Sequence, residues 1–209
     1  MKKPVIAISR EFGSGGRLIG ELLAEKFALE LYDKTLISMV AEKSGYSRDF
    51  VEENDQKVTR SMLFQIAATG NLPPWISLDD ETKAATKAKS VFSVQSEIIK
   101  DLASKGGCVI IGRCAGEILR SDPNCISVFI SADKADKRER CIKEYGISPN
   151  AVDNELIRRD KERAEHYSLY TKRGWGKAEN YDLCIDSSAF GIEGCVEMIS
   201  RAIEIMSEK

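Results

Sequence analysis

Residues 4–28, PVIAISREFGSGGRLIGELLAEKFA, decide the fold: they pass from a strand pattern through a glycine cluster into an amphipathic helix. Val5, Ile6, Ala7 and Ile8 form a short apolar run with β-branched weight, the pattern of a strand covered on both faces. Gly13, Ser14, Gly15 and Gly16 then supply a backbone free to take positive φ and to turn successive N–H groups toward one point. Leu18, Ile19, Leu22, Leu23 and Phe27 follow at helical spacing, with Glu21, Glu25 and Lys26 on the wet face. Strand, glycine loop and helix start together make an anion site, because the first helical amides lack acceptors and the helix dipole favours negative charge.

The phosphate-loop pattern G-x-x-x-x-G-K-[ST] is met only in part. Aligned on Gly16, the chain has Glu11 at the first glycine, Arg17 at the lysine, and Leu18 then Ile19 where a hydroxyl would hold magnesium. Arg17 is expected to point into the loop and bind phosphate with a planar fork in place of a point charge. Ser9 and Ser14 are the nearby hydroxyls. The structural alternative is a glycine-rich turn needed only for close packing.

Working outward, 209 residues suit one α/β domain. With 43% hydrophobic and 31% charged residues the composition is that of an ordinary globular protein, and the net charge of −2 offers no basic field for nucleic acid. No signal-peptide pattern is present and no apolar run approaches the ~20 residues of a membrane span, so a cytoplasmic protein with no membrane partner is expected. The cysteines at 108, 114, 125, 141, 184 and 195 form no C-x-x-C pair and read as buried reduced thiols; His166 is the single histidine, which disfavours zinc.

Further buried-strand runs fall at residues 29–32, 108–111, 125–130 and 181–185. Helical patterns cover 34–43, with Asp33 as its expected cap and Gly45 as its stop, then 81–105, 150–170 and 192–208, and a charged helix follows Asp133. The stretch from Ser47 through Met62, Leu63, Phe64 and Ile66 also reads as helical, and Pro73 and Pro74 mark a loop that holds Trp75. Five strands separated by helices specify a three-layer α/β/α sandwich around a five-stranded parallel sheet, since parallel connections require crossovers. Ligands of such sheets sit at the carboxyl ends of the strands, where Arg10, Asp33, Gly112, Arg113 and Asp133 fall.

ISREFGSGGRLIG followed by LYDK, IIGR-CAG, VFIS, RRDKER and YDLCIDSS resembles the cytidylate kinase-like branch of the P-loop nucleoside monophosphate kinases, in order over essentially the whole chain. The resemblance implies one kinase core over 1–209, with an acceptor-side insertion near 47–90, more mobile than the sheet, and a lid near 150–177. It implies transfer of the ATP γ-phosphate to a (d)CMP-like acceptor with Mg²⁺, no residue of the chain being assigned to the metal. Gly13, Ser14, Gly15, Gly16 and Arg17 match the phosphate and ATP site. Arg113 matches the arginine of the G-R-D motif that grips the acceptor, with Cys114 in place of the aspartate. Arg158, Arg159 and Arg163 lie in the lid segment with Asp160 as acidic partner: Arg159 and Arg163 are expected to join Arg17 in catalysis, and Arg158 and Asp160 to join Arg113 at the acceptor. The three lid arginines also read as a solvated helix face paired with Glu155 and Glu162. Asp182 and Asp186 read as structural. The three departures, at 17, 19 and 114, favour a second function class, a nucleotide-binding or regulatory protein of the same fold with weak or no kinase activity.

Overall fold

The computed structural model describes residues 3–54 and 80–208. The strands are β1 (Val5–Arg10), β2 (Glu30–Tyr32), β3 (Cys108–Ile111), β4 (Cys125–Ser131) and β5 (Leu183–Asp186). All pairings are parallel, in the order β2-β3-β1-β4-β5, so β1 lies at the centre as a doubly covered apolar run must. Val5 stands opposite both Cys108 and Cys125, which brings the carboxyl ends of β1, β3 and β4 to one edge.

The helices are α1 (Gly16–Lys26), α2 (Thr35–Ser44), α3 (Arg48–Asn54), α4 (Asp80–Lys105), α5 (Ala115–Ile118), α6 (Lys134–Lys143), α7 (Val152–Thr171) and α8 (Ser187–Ser207). The period-2 alternation of β1 divides the core. Val5 and Ala7 pack with Leu36, Val40, Ile99 and Leu102 of α2 and α4, whereas Ile6 and Ile8 pack with Ile19, Leu23, Ile199 and Ile203 of α1 and α8. A smaller cluster joins Cys141, Val152 and Leu156 to Phe12 and ties α6 and α7 to the glycine loop.

Most expected elements are present within a residue or two. The fourth run extends to Ser131, α8 begins five residues before the expected 192 and breaks at Gly191 (φ 67°, ψ 171°), and the four-residue α5 was not foreseen. Asp33 does not cap α2. The helix starts from Lys34 without a side-chain cap bond, because the Asp33 carboxylate is drawn to arginines instead; Gly45 does end the helix, in the left-handed region. Asp182 is structural, accepting from Ser127 N at 2.8 Å and Ser127 Oγ at 2.7 Å, and Asp186 accepts from Ser188 N to cap α8. All six cysteines are free thiols, five of them buried and Cys184 exposed. The residues Met62, Leu63, Phe64, Ile66, Pro73, Pro74 and Trp75 lie outside the described residues, so the expected insertion is described only at its two ends. No described helix is long and apolar enough to cross a membrane.

Candidate active site

The turn between β1 and α1 is held from behind by side chains of three other elements. Asp160 of α7 accepts from Phe12 N at 2.6 Å, Arg140 of α6 donates to Gly13 O, and Ser187 of α8 donates to Ser14 O at 2.7 Å. Ser14 Oγ donates to Glu11 O at 2.9 Å and is fully buried. Glu11 itself accepts from Lys137 Nζ at 2.8 Å and Ala132 N at 3.3 Å. These bonds take up outward-pointing loop groups and leave the first-turn amides of α1, which have no intrahelical acceptor, for the open side.

The helix begins one residue earlier than an alignment on Gly16 implies. Gly15, at φ 77°, is the N-cap, and Gly16 is the first helical residue. In that register Gly16 takes the position of the lysine, Arg17 that of the hydroxyl, and Arg10 that of the first glycine. Arg17 therefore does not open the helix. Its Nε lies 3.0 Å from Glu21 Oε1 and 3.7 Å from Asp33 Oδ2, and the side chain is more than half exposed.

The loop opens on a cleft of about 650 Å³ at the carboxyl ends of β1, β2 and β3. Six arginines line it, Arg10, Arg17, Arg113, Arg158, Arg159 and Arg163, with Lys34 and with the carboxylates Glu11, Asp33, Glu52, Glu155 and Glu162. The topology thus brings the expected loop glycines Gly13, Gly15 and Gly16 and all four expected arginines beyond the loop to one cavity. Asp160 and Ser14 are not among its lining; both are spent on the loop.

Arg113 is buried, its side chain 2% exposed, and its Nη1 lies 3.4 Å from Asp33 Oδ1. Asp33 therefore links the arginine after β3 to the arginine of α1. Residues 112–114 are consecutively left-handed, with φ values of 75°, 54° and 57°, which turns the chain sharply from β3 into α5. Cys114 is buried with its Sγ 3.6 Å from His166 Nδ1, and burial and then the Arg113 charge depress His166 to about 4. The neutral thiol of Cys114 thus adds no charge beside His166, whereas an aspartate there would favour the imidazolium.

On α7 the arginine run divides. Arg158 donates to Glu155 Oε2 at 2.9 Å and to Glu162 Oε1 at 2.6 Å, and Arg159 donates to Glu155 Oε1 at 2.8 Å. That hydrogen bond from Arg158, followed by Arg159, holds the Glu155 carboxyl down to about 2. Arg163 faces inward, donating to Arg10 O at 3.0 Å with Asp160 Oδ1 at 3.5 Å, and its buried Nε has no hydrogen-bond partner. Burial lowers the Arg163 guanidinium from its ordinary value and raises the Asp160 carboxyl, which the Phe12 amide partly pulls back. Arg159 and Arg163 share a face, as their spacing implies, and both sit over the Phe12 ring, 4.9 and 5.5 Å from its centroid. Arg159 and Arg163 are thus docked on the loop, where the Phe12 ring and the Glu155 and Asp160 carboxylates compensate the two neighbouring cations. Arg10 stands in the cleft as its place at a strand end implies, although the sequence assigned it no role; Phe12 and the linking role of Asp33 were not singled out in the sequence as site features.

The sheet order, the central β1 and the glycine loop at its end define a P-loop kinase fold of the α/β class. A shikimate kinase from Bacteroides thetaiotaomicron shares that fold, with a TM-score of 0.51 at 12% identity over 96% of this chain and 98% of that one. Residues 5–189 match the cytidylate kinase-like family, and the chain belongs to it. A cytidylate kinase from Archaeoglobus fulgidus is 27% identical over 209 residues, spanning 98% of this chain and 97% of that protein. An uncharacterized protein from Eubacterium ventriosum is similar in structure, with a TM-score of 0.71 and 29% identity over 97% of this chain and 99% of that one.

Proposed function

We propose that this protein is a nucleoside monophosphate kinase that transfers the γ-phosphoryl group of ATP to a (d)CMP-like acceptor. The observation that carries the reading is the convergence of a glycine loop and six arginines on one cleft at the strand ends. An acceptor phosphate oxygen attacks the γ-phosphorus in line and ADP leaves, so the protein's work is positioning and charge compensation. The amides of Gly13, Gly15 and Gly16 receive the ATP phosphates, with Arg17 at the loop's rim. Arg113, oriented by Asp33, receives the acceptor phosphate, with Arg158 on the opposite wall. Arg159 and Arg163 face the transferring group, and Asp160 keeps Arg163 and the loop in register. The unpartnered Arg163 Nε is a donor that an anion in the cleft would satisfy.

The residues present do not fit a magnesium ion held by the protein through a loop hydroxyl. Ser14 Oγ is buried and committed to Glu11 O, Leu18 and Ile19 follow Arg17, and no group of three His, Cys, Asp or Glu among the described residues is placed to hold a metal. An ion used here would arrive on the nucleotide, held by phosphate oxygens and water.

A coupled assay with ATP and Mg²⁺ across CMP, dCMP, UMP and other acceptors tests the reading, with turnover expected to be highest for CMP or dCMP. A glycine at the lysine position favours the second reading, a nucleotide-binding or regulatory protein of this fold. ATP binding measured by calorimetry without turnover on any acceptor would establish that reading instead.

A further inference from the structure

We infer that Arg10, at the end of β1, is the phosphate-holding cation of the loop, and that the chain has exchanged the positions of glycine and cation found in the standard phosphate loop. The inference rests on the phosphotransferase reading. In the register that the helix start defines, a glycine stands where the pattern has lysine and an arginine where it has glycine. The two substitutions are sterically one. A Cβ built on Gly16 would lie 2.5 Å from Arg10 Cβ and 3.0 Å from its Cγ, so a side chain at 16 and the Arg10 stem exclude each other. Further along, a Cβ on Gly112 would lie 2.1 Å from Arg10 Nη1, so the guanidinium rests against the backbone next to Arg113.

Two glycines, one opening α1 and one closing β3, thus clear a path for a single side chain that lines the cleft. The cation reaches the cleft from the strand side of the loop, whereas a lysine at 16 would reach it from the helix side. Arg10 is also held on its backbone, its carbonyl accepting from Arg163, so the two arginines stand in fixed relation beneath the loop. A planar fork there offers paired donors to two phosphate oxygens, which a lysine ammonium does not.

The test is equilibrium binding of a non-hydrolysable ATP analogue and of inorganic tripolyphosphate to the full chain by calorimetry, with the melting temperature of each variant recorded. Arg10→Met keeps most of the stem and removes the charge; it is expected to weaken both probes at least about tenfold, the loss of one charge-assisted contact. Gly16→Lys alone is expected to weaken them as well, because the new side chain meets Arg10. The double variant Arg10→Gly/Gly16→Lys, which restores the standard pattern, is expected to recover affinity over either single change, a result that a merely structural Arg10 would not produce. Wild-type affinity in Arg10→Met, or in Gly16→Lys, overturns the inference and leaves the phosphotransferase reading standing. So does a folded double variant without recovery. Failure of the wild-type chain to bind either probe overturns both.

Discussion

The two faces of helix α7 carry the same kinds of residue and do different work. On the outer face, which forms the water-exposed wall of the cleft, Arg158 pairs with Glu155 and Glu162 in contact with solvent, where such pairs contribute little. On the inner face Arg163, Asp160 and His166 are largely out of water, with partners on the loop and on β1 and beside Cys114. Each inner group is shifted toward its neutral form by burial, while Glu155 outside is shifted toward its charged form by its arginines. A charged residue is informative about function when the fold removes it from solvent and leaves it incompletely matched.

The largest effect expected from this contrast is on acid stability. His166 falls from 6.5 to about 4 on folding, so between those values the unfolded chain binds a proton that the folded one refuses. Stability present at neutral pH should decline as pH falls through 6.5 toward 4, by up to about 3 kcal/mol. Urea unfolding of the wild type and of His166→Gln at pH 7.5, 6 and 5 measures this; a wild-type stability flat over that range would remove the inner face's distinguishing feature. Glu155 contributes in the same direction only below its unfolded value of 4.5, and Asp160, with its raised carboxyl, in the opposite direction above 3.8.

Next in size is Asp160→Ala, which deprives Phe12 N, Arg163 and Lys137 of a common acceptor. The expected cost is about 2 kcal/mol, in the range of a lost hydrogen bond to a charged group. Urea unfolding measures it, and amide exchange at Phe12 should quicken relative to β4; unchanged exchange would mean that α7 does not hold the loop.

Arg163→Ala should lower kcat tenfold or more, about 1.4 kcal/mol, with a smaller change in ATP affinity, because its contact with the transferring group strengthens in the transition state. The coupled assay reads this directly, and equal losses in kcat and affinity would recast Arg163 as a ground-state binder. The smallest effect sharpens the comparison from the other side. Arg158→Ala should change stability by less than ~1 kcal/mol and leave turnover with a saturating acceptor intact. A tenfold loss of kcat there would show that the outer face takes part in the chemistry after all.

Local sequence was a good guide wherever one element sets the answer. The apolar run of residues 5–8, the glycine cluster and the helical spacing after it read correctly because period, φ freedom and amphipathicity are properties of neighbouring residues. The same is true of β3, whose four residues have the expected bounds. The shared face of Arg159 and Arg163 also followed from spacing alone.

What spacing along the chain could not supply was which distant group each charge meets. Asp33 read as a cap because it precedes a helix, yet Arg113, 80 residues away, draws its carboxylate. Asp160 sits in an arginine-rich run, yet its bond is to Phe12, 148 residues back. The one-residue register of the loop was likewise settled only where Gly15 turns left-handed and the Arg10 stem fills the space above Gly16. By itself the sequence determined a parallel α/β sandwich with a phosphate-type loop at its central strand, since backbone period and turn chemistry are short-range. The tertiary structure alone decided which cations are buried, paired or open to the cleft, because ion pairing and desolvation depend on the three-dimensional neighbours that packing brings together.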